Sequence, residues 1–128
     1  MKIVYYPGRP DKKPYTGLAR FVQHGLYKKS PSQWEKMDTW MEECRIYDSS
    51  YLRKMIRDEA GKPWENRTIA SLKDGLYEYR GKRKSQQGTI RLYFCMDGET
   101  LYVLCAEYKT GDTDMIETAR ERKKELQL

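Results

Sequence analysis

The chain has 128 residues, a formal net charge of +6 and 38% apolar residues, a length that suits one domain spanning 1–128 and able to bury roughly two thirds of the surface its unfolded chain exposes. With His24 the sole histidine and no Cys-x-x-Cys spacing among Cys44, Cys95 and Cys105, neither a zinc site nor a serine, histidine and carboxylate triad is expected, and no other metal or cofactor is called for. The cysteines read as small buried apolar residues in a reducing compartment.

The positive charge is uneven. Residues 1–31 carry seven Lys/Arg against Asp11, and residues 72–95 carry six against Asp74 and Glu78. Contact with a polyanion, RNA or the ribosome first, is one reading; solubility is the other. No apolar run is long enough to cross a bilayer, and Met1-Lys2-Ile3-Val4 leads into a strand pattern rather than a signal sequence, so no membrane association and a cytoplasmic location are expected.

In chain order, Lys2 to Tyr6 predicts an edge strand, ended by Pro7-Gly8 and a Pro-rich basic loop that reaches Gly17. Residues 18–27 suit a short helix despite Gly25. Ser30-Pro31-Ser32-Gln33 is a helix start, with Ser30 as cap, Pro31 in the first position and Gln33 completing a capping box. Trp34, Met37, Met41 and Cys44 follow as one apolar stripe, which at helical spacing reads as core rather than as a ligand pocket. A second helix starts near Ser49 or Ser50, buries Leu52, Met55 and Ile56, and stops at Gly61 before Pro63. The two make a helical hairpin.

Three strands come next. Gly75-Leu76-Tyr77-Glu78-Tyr79-Arg80 alternates, so Glu78 and Arg80 share a face, and Gly81 to Gly88 is a polar connection carrying Lys82, Arg83 and Lys84. A cationic loop between two arginine-bearing strands points to a phosphate-handling surface. Asp97-Gly98 signals a tight hairpin in which Cys95 pairs with Thr100, Phe94 with Leu101, Arg91 with Leu104 and Thr89 with Ala106. That register gathers Ile90, Leu92, Phe94, Leu101, Val103 and Cys105 on a buried face, and Arg91, Tyr93, Tyr102, Leu104, Ala106 and Tyr108 on an open one. The open face is either an ordinary solvated sheet surface or, with Arg80, Arg91, the Lys82-Arg83-Lys84 loop and Lys109 converging, a concave binding surface. Asp112-Thr113-Asp114 then opens a last helix that closes on Arg120, Arg122, Lys123 and Lys124, matching the macrodipole at both ends. The fold class is α+β: a helical hairpin on one face of a small antiparallel sheet, mixed through its N-terminal strand, with a C-terminal helix.

The Leu72-Lys73-Asp74-Gly75-Leu76-Tyr77-Glu78-Tyr79-Arg80 run, the Arg91 strand and Tyr108-Lys109-Thr110 resemble the RelE/HigB-like superfamily of toxins from bacterial toxin-antitoxin systems, in its phage-derived HigB-like branch. The resemblance is best over residues 63–124 and is one of layout alone over the first 60 residues. It implies a basic cleft on the sheet face opposite the hairpin, and a ribosome-dependent endoribonuclease (an mRNA interferase) in which the ribose 2′-hydroxyl attacks the adjacent phosphate without a metal. It also implies a cognate antitoxin as partner in a hetero-oligomer, with the ribosome and mRNA as target.

Carried over by position, Arg91 contacts the scissile phosphate, Arg80 ends the preceding strand beside it, and Glu78 is the general base or else a salt-bridge partner of Arg80 or Arg91. Lys109 is the cation that stabilises charge or protonates the leaving oxygen. Tyr108 stands in for a tyrosine that some relatives place inside the last helix, where this chain has Met115 and Ile116; Lys82, Arg83, Lys84, Tyr93 and Tyr102 are expected to contact RNA. Two other functions fit the same fold: a toxin that inhibits a protein target such as DNA gyrase, and a catalytically inactive RNA-binding relative.

Overall fold

Why a sheet can carry helices on both faces is written in its central hairpin. A computed structural model describes residues 1–82 and 88–128. The order is β1 (Lys2–Tyr5), β2 (Arg9–Pro10), α1 (Gly17–Arg20), a π-helical turn (Phe21–Gly25), α2 (Leu26–Lys29), α3 (Pro31–Ile46) and α4 (Ser49–Ala60). A 3₁₀ turn (Trp64–Asn66) leads to β3 (Ile69–Ser71), β4 (Tyr77–Arg80), β5 (Thr89–Asp97), β6 (Thr100–Lys109) and α5 (Ile116–Glu125). The six strands form one mixed sheet in the order β2-β1-β6-β5-β4-β3, with β1 parallel to β6 and the other neighbours antiparallel. The α+β class is therefore as expected, but β1 is not an edge strand: the two-residue β2 covers its free side, and β3 closes the other end of the sheet.

The β5–β6 register departs from the expected one. Gly98, at φ +58°, takes the first of two loop positions, so that Asp97 pairs with Thr100 and Phe94 with Val103. Glu99, in the second loop position, accepts from the Ser49 amide at 2.8 Å and also from the Ser49 hydroxyl, which ties the turn to the start of α4. A bulge then intervenes, because Tyr93 pairs with Cys105 and Leu104 is left over. Past the bulge the alternation flips: Ala106 and Tyr108 join the hairpin side of the sheet, and Cys105 joins the opposite side.

The hairpin side is the larger core. Met37, Met41 and Cys44 of α3 and Leu52 of α4 pack on Ile90, Leu92, Phe94, Leu101 and Val103, all of them buried. Trp40, outside the expected stripe, stacks on Tyr79 with centroids 4.7 Å apart. Ser30 lies at the N-cap of α3 and Pro31 in its first turn, but no capping box forms. Gln33 instead donates to the Gly88 carbonyl and accepts from the Ile90 amide, both at 2.9 Å, which fixes the end of the cationic loop against the helix. The cap of α4 is Asp48, which accepts from the Tyr51 amide at 3.2 Å.

The opposite face is not open along its length. There α5 lies over a second core of Leu76, Tyr93, Cys95, Leu104, Cys105 and Ala119. Arg122 donates to the Leu104 carbonyl at 2.9 Å and Arg120 to that of Leu72 at 2.6 Å, so these cations clamp the helix to the sheet. The part of this face that α5 leaves uncovered is where β4, β5 and β6 bring Arg80, Arg91 and Lys109 together. No helix among the described residues is long and apolar enough to cross a membrane.

Candidate functional site

Strand register places the charged cluster. Glu78 pairs with Tyr93, Arg80 with Arg91, Arg91 with Glu107 and Thr89 with Lys109, so the second face of the sheet ends in a patch of ionisable side chains. They line a groove of about 1030 Å³ whose other wall is the loop between α4 and β3. Six cationic side chains, Lys62, Arg67, Arg80, Lys82, Arg91 and Lys109, face three acidic ones, Glu65, Glu78 and Asp114.

At the floor, Glu78 is 2% exposed and shared by two arginines. Its Oε1 accepts from Arg91 Nη1 at 2.9 Å and from Arg80 Nε in a second, shorter contact. Such a carboxylate is stable in a buried setting only because both cations are within hydrogen-bonding distance. The pairing is incomplete on the arginine side: Arg91 Nε is buried with no partner among the described residues. The Arg91 side chain as a whole is 22% exposed on the cationic groove, and a planar guanidinium partly open there is suited to an oxyanion.

The outer wall is set by Arg80 and Arg67. Arg80 Nη1 donates to the Trp64 carbonyl at 2.7 Å while its guanidinium lies 4.2 Å from the centre of the Trp64 ring. Arg67 donates to the carbonyls of Ala60 and Lys62 at 3.0 Å each, closing the C-terminal end of α4. The Thr68 amide donates to Glu59 Oε1 at 2.6 Å. Burial raises the Glu59 carboxyl, but its bonds to Lys62 and Thr68 outweigh that and leave it below the usual carboxylate range.

Of the residues expected to act together, Glu78, Arg80, Arg91 and Lys109 all line the groove, as does Lys82, which is exposed. Arg83 and Lys84 lie outside the described residues. Two expectations are corrected, and a third residue lies apart from the groove. Tyr108 is on the hairpin side of the sheet, a consequence of the bulge, with its ring against Gly88; a Cβ there would come within 2.5 Å of the ring. It therefore does not share a face with Glu78 and Arg91. Tyr93, expected to touch RNA, is fully buried beneath α5. Its hydroxyl donates to Glu107 Oε2 at 2.8 Å, and burial together with that bond pushes its ionisation far above the usual phenol range. Tyr102, also expected to touch RNA, packs beside the second core rather than lining the groove.

The groove wall formed by Lys62, Trp64 and Arg67, and Glu107 on the strand beside Arg91, escaped the sequence reading. Trp64 is 47% exposed in the groove wall, and its signal was a large aromatic set between cations in Gly61-Lys62-Pro63-Trp64-Glu65-Asn66-Arg67. Glu107 accepts from both Tyr93 and the Met115 amide, at 2.8 Å each, and so holds the start of α5; nothing in its strand marked it for this. Among the described residues no group of three or more His, Cys, Asp or Glu side chains could hold a metal ion. Comparison of the chain with known protein families, with curated proteins and with solved structures finds no match.

Proposed function

We propose that this chain is a RelE/HigB-like toxin of a toxin-antitoxin module, acting in the cytoplasm as a ribosome-dependent mRNA endoribonuclease. The observation that carries the reading is the Arg80–Glu78–Arg91 cluster at the floor of a cationic groove, with Lys109 on the adjacent strand. A helical hairpin on one sheet face and a basic groove on the other also supports the resemblance.

In this reading the scissile phosphate docks on the part of the Arg91 guanidinium that stays open to the groove, the side chain being 22% exposed with its Nη1 held by Glu78. The incoming phosphate competes with Glu78 for Arg91, and the carboxylate so released takes the proton of the 2′-hydroxyl. The O2′–P bond forms, Arg91 and Arg80 stabilise the added charge of the phosphorane, and the P–O5′ bond breaks as Lys109 protonates the leaving oxygen. The products are a 2′,3′-cyclic phosphate and a 5′-hydroxyl end. The neutralising partner is an antitoxin encoded beside this gene, whose acidic segment occupies the groove.

A second reading, RNA binding without cleavage, is favoured by one feature: Glu78 is nearly sealed by the two arginines, and the phenol expected to help it lies on the other side of the sheet. Expression of the chain in a bacterial cytoplasm, with primer extension on translated messages, separates the two. Growth arrest with new 5′ ends within codons supports the nuclease. Arrest without cleavage favours a binder or a protein-target inhibitor, and unimpaired growth at high expression removes the toxin reading.

A further inference from the structure

We propose that Trp64 is a stacking platform for an unpaired nucleobase, so that the groove grips single-stranded RNA by a base as well as by its phosphates. The inference rests on the reading of the groove as an RNA site and adds to it a residue that determines how the strand is seated.

The three tryptophans differ sharply in environment. Trp40 is 5% exposed within the hairpin core, and Trp34 packs at the edge of that core with its indole N–H donating to the Val22 carbonyl at 2.8 Å. Trp64 leaves nearly half its surface in water at the groove wall. Its neighbours there are cations: the Arg80 and Arg67 guanidinium groups lie 4.2 and 5.4 Å from the ring centre. The other large exposed apolar side chains, Phe21, Tyr27, Ile46 and Tyr47, do not line this groove. A lone aromatic plane with guanidinium groups over it does not suit an apolar protein surface, which needs contiguous apolar contact. It does suit single-stranded nucleic acid, where bases stack on aromatic rings while cations follow the backbone.

The platform is also held in place before anything binds. The Asn66 amide donates to the Pro63 carbonyl at 2.9 Å, and the Trp64 carbonyl is held by Arg80. Little ordering is left for binding to impose. Arg80 joins this wall to Glu78, and Glu78 to Arg91, so a base on Trp64 and a phosphate on Arg91 act on one continuous set of side chains.

Titration with single-stranded oligoadenylate at low salt, with affinity read from the anisotropy of a labelled strand and stacking from intrinsic fluorescence, tests the assignment. Binding should quench the wild-type emission, and Trp64→Phe should bind nearly as well while losing most of that quench. Trp64→Ala keeps the backbone carbonyl that Arg80 uses, yet should bind roughly ten- to a hundredfold more weakly, with no change in salt dependence. An abasic oligonucleotide of the same length should bind wild type and Trp64→Ala alike. If Trp64→Ala matches wild type on oligoadenylate while Arg91→Ala binds poorly, the platform is overturned and the RNA groove stands. If wild type binds neither oligoadenylate nor the abasic strand, both are overturned.

Discussion

Arg91 and Glu78 are joined by a 2.9 Å bond from Nη1 to Oε1 on adjacent strands, with the carboxylate almost wholly buried and the arginine partly open to the groove. The carboxylate also holds Arg80, so the arginine pair is oriented by one acid beneath it. Two like charges are thus kept side by side on neighbouring strands, a placement that otherwise destabilises a sheet. The arrangement is in place before any ligand arrives, as electrostatic stabilisation of a transition state requires.

On the proposed function Arg91 receives the scissile phosphate, so Arg91→Ala should lower cleavage of translated messages by roughly a hundredfold or more. Arg91→Lys should recover part of that, because an ammonium keeps the charge but lacks the planar fork. Primer extension in cells expressing each variant reads both effects; undiminished cleavage by Arg91→Ala refutes the assigned site.

Glu78→Ala leaves two guanidinium groups without their shared acceptor, so stability should drop by about 3 kcal/mol, within the range for breaking a buried pair. Urea unfolding measures it. A change below about 0.5 kcal/mol, which is normal for surface substitutions, would falsify the view that Glu78 organises the arginines.

Met41 is fully buried between α3 and the sheet. Met41→Ala should cost roughly 2 to 5 kcal/mol, the span for large-to-small changes in well-packed cores. Equilibrium denaturation again decides, and a loss much smaller than this means that the helix is not packed as described.

Replacing Lys82, Arg83 and Lys84 together by Gln should weaken RNA or ribosome association and lower the slope of log affinity against log salt by about 2, given roughly 0.7 for each phosphate contact on a single strand. Cleavage of RNA already bound should change little, because such contacts position the strand. A salt titration of binding shows it; an unaltered slope places the loop away from the backbone.

Burial raises Cys44 to about 12, Cys95 to about 11 and the Tyr79 phenol to about 12. These groups keep their protons in the folded chain after the unfolded chain has released its own, from about pH 8.5 for thiols and 10 for phenols. Folding is therefore favoured fully below that range, and its free energy should decline as pH rises from about 9 towards 12. Urea midpoints across this interval test the sign. Cys44→Ala should flatten the lower part of the decline, and an identical pH profile in that variant excludes Cys44 as a contributor.

Local pattern was enough to determine much of this chain. The Trp34, Met37, Met41 and Cys44 spacing marks one helix face, Ser30-Pro31 marks its start, and alternation from Leu76 to Arg80 puts Glu78 and Arg80 on the same side. These follow from periods of 3.6 and 2.0 and from the φ preferences of Pro, all of which act over a few residues. Tertiary structure decided the rest. The turn is Gly98-Glu99 and not Asp97-Gly98, and in it Glu99 reaches Ser49, far away in sequence. The leftover Leu104 moves Tyr108 off the face of Arg91, and a bulge has no mark in an alternating apolar strand. Gln33 left its own helix end to hold Gly88 and Ile90, α5 closed over Tyr93, and Arg80 brought Trp64 to the groove. Each of these is a contact between distant segments, set by the shape the packed chain offers, which no local window of residues contains.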